Sequence, residues 1–217
     1  MIQALLNQKP GQPLNVLCVG AHSDDIEIGC GGAILSIAKQ YPGALFHWVV
    51  FSAIGVRETE ARAAASAFVA SAALQEPLFK TFRDGFLPYS GAEVKDVFEG
   101  LKQSVDPDLI FTTSRDDAHQ DHRLVGELTW NTFRDHMILE YEIPKYDGDL
   151  GRPGVFWRLD TDVASRKVRS IMDNFRSQHT KRWFEESTFL SLMRLRGMEC
   201  NSPSGYAEAF YARKVAF

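Results

Sequence analysis

The chain has 217 residues, of which 45% are hydrophobic, 24% charged and 12% aromatic, a composition typical of a globular domain with a substantial core. Its net charge of −4 provides no basic field that would favour nucleic acid or an anionic membrane as a partner. No apolar run reaches the roughly 18 residues of a membrane span, and residues 1–13 lack the features of a secretory signal. We therefore expect a cytoplasmic protein with one domain over residues 1–217.

The predicted elements alternate between strands and helices along the chain. Residues 14–21 (LNVLCVGA) form a continuous apolar run, which is typical of a strand buried on both faces of a parallel sheet. The pattern then predicts a helix (29–41), a strand (44–53), an alanine-rich helix (57–74), a short strand (78–82), a helix (92–104), a strand (108–114), a helix (120–134), a last core strand (137–143), a loop (144–160), a helix (162–177) and a basic, aromatic-rich tail. This alternation predicts an α/β fold, a Rossmann-like three-layer sandwich with a mostly parallel sheet, in which residues 144–217 elaborate the same domain.

The segment GAHSDDIEIGCGG, residues 20–32, follows the first predicted strand. Open α/β sheets bind ligands beyond the carboxyl ends of their strands, so this segment is a candidate site. A phosphate-binding loop is one interpretation of its glycines, but their spacing fits neither G-x-G-x-x-G nor G-x-x-x-x-G-K-[ST]. Three carboxylates would also repel a phosphate here, and the segment is therefore not predicted to bind nucleotide phosphate.

A cation suits this segment better than an anion. His22 and Asp25 could supply one nitrogen and one oxygen ligand from the same turn. Alternatively, Asp24 or Asp25 could simply cap the following helix. The segment alone supports metal binding and helix capping about equally.

A second polar segment, SRDDAHQDHR at residues 114–123, also follows a buried strand and also opens a helix. It carries His119 and His122 three positions apart, with Asp121 between them. Two histidines and one carboxylate make a three-ligand site with open positions, the arrangement of a catalytic zinc. The same ligand set also describes non-haem Fe(II) oxygenases. The two segments together favour a metal site over helix capping.

These motifs resemble those of the LmbE-like, or PIG-L, family of zinc-dependent N-deacetylases. AHSDDIE followed by GCGG is similar to the family's A-H-P-D-D-E signature, and DAHQDH to its D-x-H-x-D-H segment. RETEARAAA and FRDGFL are similar to its R-x-x-E helix and D-G-x-L turn. The chain departs from the pattern at Ser23, where the family has Pro, and at Ile26, which displaces Glu27 from the commonest register.

The resemblance implies a ligand set and a base. His22, Asp25 and His122 would bind Zn²⁺, although this set also accepts other divalent ions such as Fe²⁺. Asp24 would be the general base that takes a proton from the attacking water.

Four further residues receive roles through the same resemblance. His119 would donate to the oxyanion of the tetrahedral intermediate, and Asp121 would hydrogen-bond His119 and keep it protonated. Arg57 and Asp84 would bind sugar hydroxyls, although a surface salt bridge and a turn residue explain these two equally well. The roles of Glu27, Asp117 and the 144–160 loop stay open.

The resulting hypothesis is a metal-dependent hydrolase that removes the N-acetyl group from an N-acetylated amino sugar or sugar conjugate of the N-acetylglucosamine type. The alternatives are an amidase acting on a non-sugar amide, an Fe(II) oxygenase with the same ligands, and a non-catalytic sugar- or nucleotide-binding module that retains a metal. The expected partner is a small molecule, with no nucleic acid and no membrane. A homo-oligomer is left open.

Overall fold

A computed structural model describes residue 6 and residues 11–215 of the chain. Most of the N-terminal segment for which no secretory signal is predicted therefore lies outside the described residues. The strands are β1 (Asn15–His22), β2 (Leu45–Ser52), β3 (Ala73–Leu74), β4 (Leu78–Phe79), β5 (Leu109–Thr113), β6 (Met137–Tyr141), β7 (Val155–Leu159) and β8 (Tyr206–Tyr211). The helices are α1 (Asp25–Gln40), α2 (Val56–Phe68), α3 (Gly91–Ser104), α4 (Gln120–Thr132), α5 (Thr161–Asn174) and α6 (Glu186–Glu199), with 3₁₀ turns at Leu87–Ser90 and Arg176–Gln178. Within the described residues, no helix has the length and apolar character needed to cross a membrane.

The described strands form one sheet with the order β3-β2-β1-β5-β6-β8-β7. The short strand β4 also pairs with β2, further along it than β3 does. The pairs among β1 to β6 are parallel, whereas β8 pairs antiparallel with both β6 and β7. Helices α1, α2, α5 and α6 cover one face, and α3 and α4 cover the other. The predicted three-layer α/β sandwich with a mostly parallel sheet is thus confirmed.

Alternate residues of β1 face opposite layers of the sandwich. Val16 and Cys18 pack in the larger core with α1, α2, α5 and α6, whereas Leu17 and Val19 pack in the smaller core with α3 and α4. All four side chains are fully buried. The continuous apolar run in the sequence follows from this burial on both faces.

Several element predictions were wrong. The strand over 137–143 is not the last, because β7 lies in the predicted loop and β8 in the tail. The glycines and prolines before residue 155 obscured β7, which is short and pairs only with β8. The helix predicted over 57–74 ends at Phe68, since residues 73–74 leave it to form the edge strand β3.

Helix α1 begins at Asp25 rather than at residue 29, and it includes the glycine cluster. A Cβ at Gly29 would lie 2.1 Å from Cδ2 of Tyr141, and one at Gly31 would lie 2.5 Å from Cε1 of Phe68. These glycines therefore allow α1 to pack directly against large rings. Close packing, and not a turn, explains the cluster.

Gly29→Ala should destabilise the protein by at least about 1–3 kcal/mol, the usual cost of overpacking a core. The Tyr141 ring cannot easily move away, because its hydroxyl donates a 2.7 Å hydrogen bond to the carbonyl of Val19. Gly100→Ala is the matched control, because a Cβ built at this helical glycine has no described atom within 4 Å apart from its chain neighbours and the backbone of its own helix. That change should stabilise α3 by about 0.5–1 kcal/mol. Urea unfolding curves of equal midpoint for the two variants would contradict this account of α1.

A buried ion pair from the C-terminal part of the chain holds α1 in place. Both carboxylate oxygens of Glu208 accept hydrogen bonds of 2.7 Å from the backbone amides of Gly32 and Ala33. Lys167 Nζ lies 2.6 Å from Glu208 Oε1 and donates to the carbonyl of Ile28 at 2.6 Å. The segment after β6 therefore contributes directly to the position of α1.

Candidate functional site

The two polar segments meet at the carboxyl ends of β1 and β5, which are neighbouring parallel strands. His22 is the last residue of β1, and Asp25 is the first residue of α1. Residues 114–119 connect the end of β5 to α4, which begins at Gln120. The site therefore lies at the edge of the sheet where α/β proteins bind their ligands.

Three side-chain atoms of these segments converge on one point. Nδ1 of His22 lies 3.1 Å from Nε2 of His122, which in turn lies 3.3 Å from Oδ2 of Asp25. Asp25 Oδ2 lies 3.5 Å from His22 Nδ1 and accepts a 2.8 Å hydrogen bond from the His22 backbone amide. All three residues are buried. The structure thus brings together the three predicted metal ligands.

The separations of these atoms fit a divalent metal ion. Tetrahedral zinc with bonds of about 2.0–2.2 Å places its ligand atoms roughly 3.3–3.6 Å apart, close to the 3.1–3.5 Å found here. Two imidazole nitrogens and one carboxylate oxygen are also a donor set that zinc and Fe²⁺ both accept. The residues present therefore fit such an ion.

Carboxylates hold the far side of both imidazole rings. Nε2 of His22 lies 3.2 Å from Asp121 Oδ2 and 3.1 Å from Asp84 Oδ1. Nδ1 of His122 lies 2.9 Å from Asp117 Oδ2. Such carboxylates fix the ring orientation and the tautomer of a metal-binding histidine. Asp117, whose role the sequence left open, is thus the orienting partner of His122.

The Asp121 carboxylate is directed differently from the prediction. Its two oxygens accept hydrogen bonds from the backbone amides of Gly85, at 2.7 Å, and Leu87, at 3.1 Å, in addition to contacting His22. Only the backbone amide of Asp121 reaches His119, where it donates to Nδ1 at 3.2 Å. The structure therefore places the Asp121 side chain behind His22 and against the 85–87 turn, rather than behind His119.

His119 is the N-cap residue of α4, and its ring lies against the rings of His22 and His122. Ring nitrogens of His119, His22 and His122 lie within 4.8 Å of one another. Burial, followed by the nearby charges of His22 and His122, lowers the pKa of His119 below the usual 6.5. Because Nδ1 accepts a hydrogen bond, the neutral ring carries its proton on Nε2. The ring is therefore a neutral donor, in contrast to the protonated state that we expected.

Arg57 joins the predicted base to the exposed edge of the site. Its Nη2 lies 2.9 Å from Oδ1 of the buried Asp24, and its Nη1 lies 3.3 Å from Oδ2 of Asp84. The Asp84 side chain is 56% exposed, and its hydrogen bond to His22 is the main cause that lowers its pKa to about 2. Both predicted substrate-binding residues thus lie at the site, where they form an ion pair with each other.

A lysine from the segment after β6 attaches that segment to the histidine motif. Lys145 Nζ lies 2.9 Å from Asp117 Oδ2 and 2.7 Å from Asp149 Oδ2. Asp149 Oδ2 also accepts a 2.7 Å hydrogen bond from the backbone amide of Ala118. Residues 145–149 therefore form one wall of the site. Sequence reasoning missed Lys145 and Asp149 because nothing in their local pattern indicates this distant partner.

Glu27 lies in α1, two residues after Asp25, the predicted metal ligand, but it faces the core. Its carboxyl group is fully buried and forms no hydrogen bond with any other described residue. Burial, with smaller contributions from the charges of Asp24 and Asp25, raises its pKa well above the usual 4.5. Because it is buried in the core, Glu27 is unsuited to be the general base for a water molecule at the site.

The metal-free protein should lose stability as the pH rises from about 6.5 to about 9. Burial disfavours the charged His122 ring, but Asp25 and Asp117 outweigh it and raise its pKa to about 9 from 6.5. The pKa of His22 is also raised, by Asp25 and its other carboxylate neighbours against the effect of burial. A group with a raised pKa binds its proton more tightly in the folded state than in the unfolded state. The contribution of His122 to the free energy of unfolding is therefore complete below pH 6.5 and is lost as the pH rises through about 9.

Thermal unfolding of chelator-treated protein across this pH range measures the effect as a falling Tm. His122→Gln, which removes one of the titrating rings, should flatten the slope. Zinc should reverse the fall in Tm with pH, because the ligands must release their protons to bind a metal and the affinity for the metal then increases with pH. A Tm independent of pH in the metal-free protein would contradict the proposed coupling.

Several known proteins resemble this chain. The PIG-L family profile, described as GlcNAc-PI de-N-acetylase, matches residues 17–133. N,N'-diacetylchitobiose deacetylase from Pyrococcus horikoshii, solved with its inhibitor MPG, is 20% identical, with a TM-score of 0.70 over 92% of this chain and 83% of that chain. Teicoplanin deacetylase Orf2, in a zinc-inhibited form, is 15% identical, with a TM-score of 0.70 over 91% and 97% of the two chains. No curated protein matches significantly.

The same fold also occurs with a different chemistry. GalB, the 4-carboxy-2-hydroxymuconate hydratase from Pseudomonas putida KT2440, is 19% identical, with a TM-score of 0.70 over 94% of this chain and 98% of that chain. At such identities the structural likeness establishes the fold, and the chemistry must be argued from the site. The family match is more specific, because it spans more than half of the chain and contains both histidine motifs. This chain belongs to the PIG-L, or LmbE-like, family.

Proposed function

We propose that the chain is a divalent-metal-dependent hydrolase that removes the N-acetyl group from an N-acetylated amino sugar or sugar conjugate of the N-acetylglucosamine type. The convergence of His22 Nδ1, His122 Nε2 and Asp25 Oδ2 within 3.5 Å of one another carries the proposal. The family's description and two deacetylases of the same fold support this reaction class. Zinc is the expected ion, with Fe²⁺ as a substitute that the same donors accept.

The bound ion would polarise the amide carbonyl and lower the pKa of a water molecule. Asp24 is the residue that takes the proton of the attacking water. Its neighbour Asp25 has Oδ2 turned towards both histidines, whereas Asp24 is held by Arg57 beside them. The proton on Asp24 is then available for the departing amine, as general acid–base catalysis requires.

His119 is the donor to the developing oxyanion. A neutral imidazole with its proton on Nε2 can donate a hydrogen bond without changing its protonation state. The backbone amide of Asp121 holds the other ring nitrogen at 3.2 Å and so fixes the direction of Nε2. Such a donor stabilises charge that forms only in the transition state.

Arg57 and Asp84 are placed to bind the sugar. Both lie where the buried centre opens to solvent, and together they offer a hydrogen-bond donor and an acceptor. A pair of vicinal hydroxyls carries both complementary functions. We infer that the substrate's hydroxyls exchange with part of the Arg57–Asp84 ion pair on binding.

Acetate release from a panel of N-acetyl sugars tests the proposal. The panel consists of N-acetylglucosamine, its nucleotide conjugate, N,N'-diacetylchitobiose and a non-sugar N-acetyl amine, each with zinc-loaded protein. We expect acetate from at least one sugar and none from the non-sugar amine. His122→Ala protein, which should bind no metal, is the negative control. Acetate from the non-sugar amine alone would favour a general amidase, and no acetate from any compound would contradict hydrolysis.

A further inference from the structure

Exposed apolar side chains are concentrated around the site. Of nine large hydrophobic side chains that are exposed in the described part of the chain, six lie on the segments that follow β2, β4 and β6: Ile54, Val56, Phe86, Tyr89, Tyr146 and Leu150. These segments leave the sheet at the edge that carries the histidines. Apolar surface gathered beside a polar centre indicates a binding surface.

Two of these side chains form an aromatic pair. Phe86 is 39% exposed and Tyr89 is 83% exposed, and their ring centroids lie 5.6 Å apart with an interplanar angle of 47°. The Arg83 guanidinium lies 3.5 Å from the centroid of Phe86. A cation over one face of the ring holds its orientation and leaves hydrogen-bond donors beside it.

The backbone on both sides of Phe86 is tied to the candidate metal centre. The amides of Gly85 and Leu87 donate to the two oxygens of Asp121, at 2.7 and 3.1 Å. Asp84 contacts His22 at 3.1 Å, and the Leu87 side chain is fully buried. The neighbours of Phe86 are thus firmly held while its own side chain stays partly exposed, so this exposure does not result from loose packing.

We propose that Phe86 and Tyr89 form a stacking platform for a second pyranose ring of the substrate, linked to the N-acetyl sugar that enters the centre. The electron-rich face of an aromatic ring attracts the polarised C–H groups on one face of a pyranose. The Arg83 guanidinium, which lies over Phe86, supplies hydrogen-bond donors for the hydroxyls of this second ring. A hydrocarbon chain in this position would leave such groups desolvated without partners, which is costly. This inference rests on the proposed function for the identity of the first ring.

Binding of N,N'-diacetylchitobiose and N-acetylglucosamine to zinc-loaded protein tests the platform. Proton NMR with saturation transfer measures both dissociation constants, and the acetate signal in the same spectra reports hydrolysis independently. Wild-type protein should bind the disaccharide more tightly than the monosaccharide. The double variant Phe86→Ala/Tyr89→Ala should weaken disaccharide binding about tenfold, the scale of two aromatic contacts, and monosaccharide binding less than twofold.

Two controls distinguish stacking from general damage. Phe86→Tyr and Tyr89→Phe keep an aromatic face and should retain disaccharide affinity, and Leu195→Ala, an exposed apolar change on α6, should have no effect. Equal weakening for both sugars, or no disaccharide preference in the wild type, would overturn the platform. If acetate is released and disaccharide binding does not depend on Phe86 and Tyr89, the platform is overturned while the proposed hydrolysis stands. Disaccharide binding that depends on the pair without acetate release would support the platform and contradict the proposed hydrolysis.

Discussion

Asp24→Asn should leave the protein folded and metal-bound while kcat falls by about 10²–10⁴-fold, the usual contribution of a positioned general base. The amide retains the size of the carboxylate, and its oxygen can still accept the hydrogen bond from Arg57 Nη2, which is 2.9 Å long in the wild type. It cannot take the proton of the attacking water. Kinetics and metal content should be measured on the same samples.

Asp25→Asn is the matched control, because it changes the adjacent carboxylate in the same way. This variant removes charge from a proposed ligand, so metal affinity should fall and excess zinc should restore part of the activity. Full activity of the zinc-loaded Asp24→Asn protein would show that another carboxylate is the base. The burial and raised pKa of Glu27 make it a poor substitute.

His122→Ala should abolish both metal binding and activity, whereas His119→Ala should keep the metal and lose about 10²–10³-fold in kcat, as for a removed oxyanion donor. The two rings are close, with centroids 4.8 Å apart. They differ in their partners, since His122 lies against Asp25 and has Asp117 behind it. Metal content by elemental analysis and kcat on the same preparations separate the two roles.

Metal loss in the His119→Ala variant would show that the roles of the two histidines are exchanged. His119→Gln is a useful second variant, because its amide can still donate a hydrogen bond and should recover part of kcat. A merely structural role for His119 would reduce thermal stability without this recovery.

The position of the site could be predicted because each motif directly follows a buried strand. In a parallel sheet the carboxyl ends of β1 and β5 meet at one edge, so His22, Asp25 and His122 had to lie near one another. The alternating pattern of strands and helices also predicted the three-layer fold. Both inferences depend only on local sequence patterns and on general rules of sheet topology.

The orientation of the outer carboxylates could not be predicted in the same way. Asp121 lies one residue from His122, yet its side chain contacts His22 and the amides of Gly85 and Leu87. Asp117, five positions before His122, is the residue that orients that ring. These choices depend on how α4 and the 85–87 turn pack together, which the sequence pattern does not encode locally.

The contribution of the C-terminal part was also hidden in the sequence. Glu208 reaches the α1 amides across 176 positions of the chain, and Lys145 reaches Asp117 across 28. β7 and β8 add an antiparallel edge that strand–helix alternation does not predict. Long-range polar contacts of this kind require the assembled tertiary structure.

Titration of the metal-free protein with zinc, followed by the rate of acetate release from an N-acetyl amino sugar, tests the central claim most directly. The structure brings the proposed ligands His22, Asp25 and His122 within 3.5 Å of one another. We therefore expect no activity without metal and a linear rise that ends at one ion per chain. A full rate of acetate release before any zinc is added, or no acetate release when every chain holds an ion, would contradict a metal-dependent deacetylase.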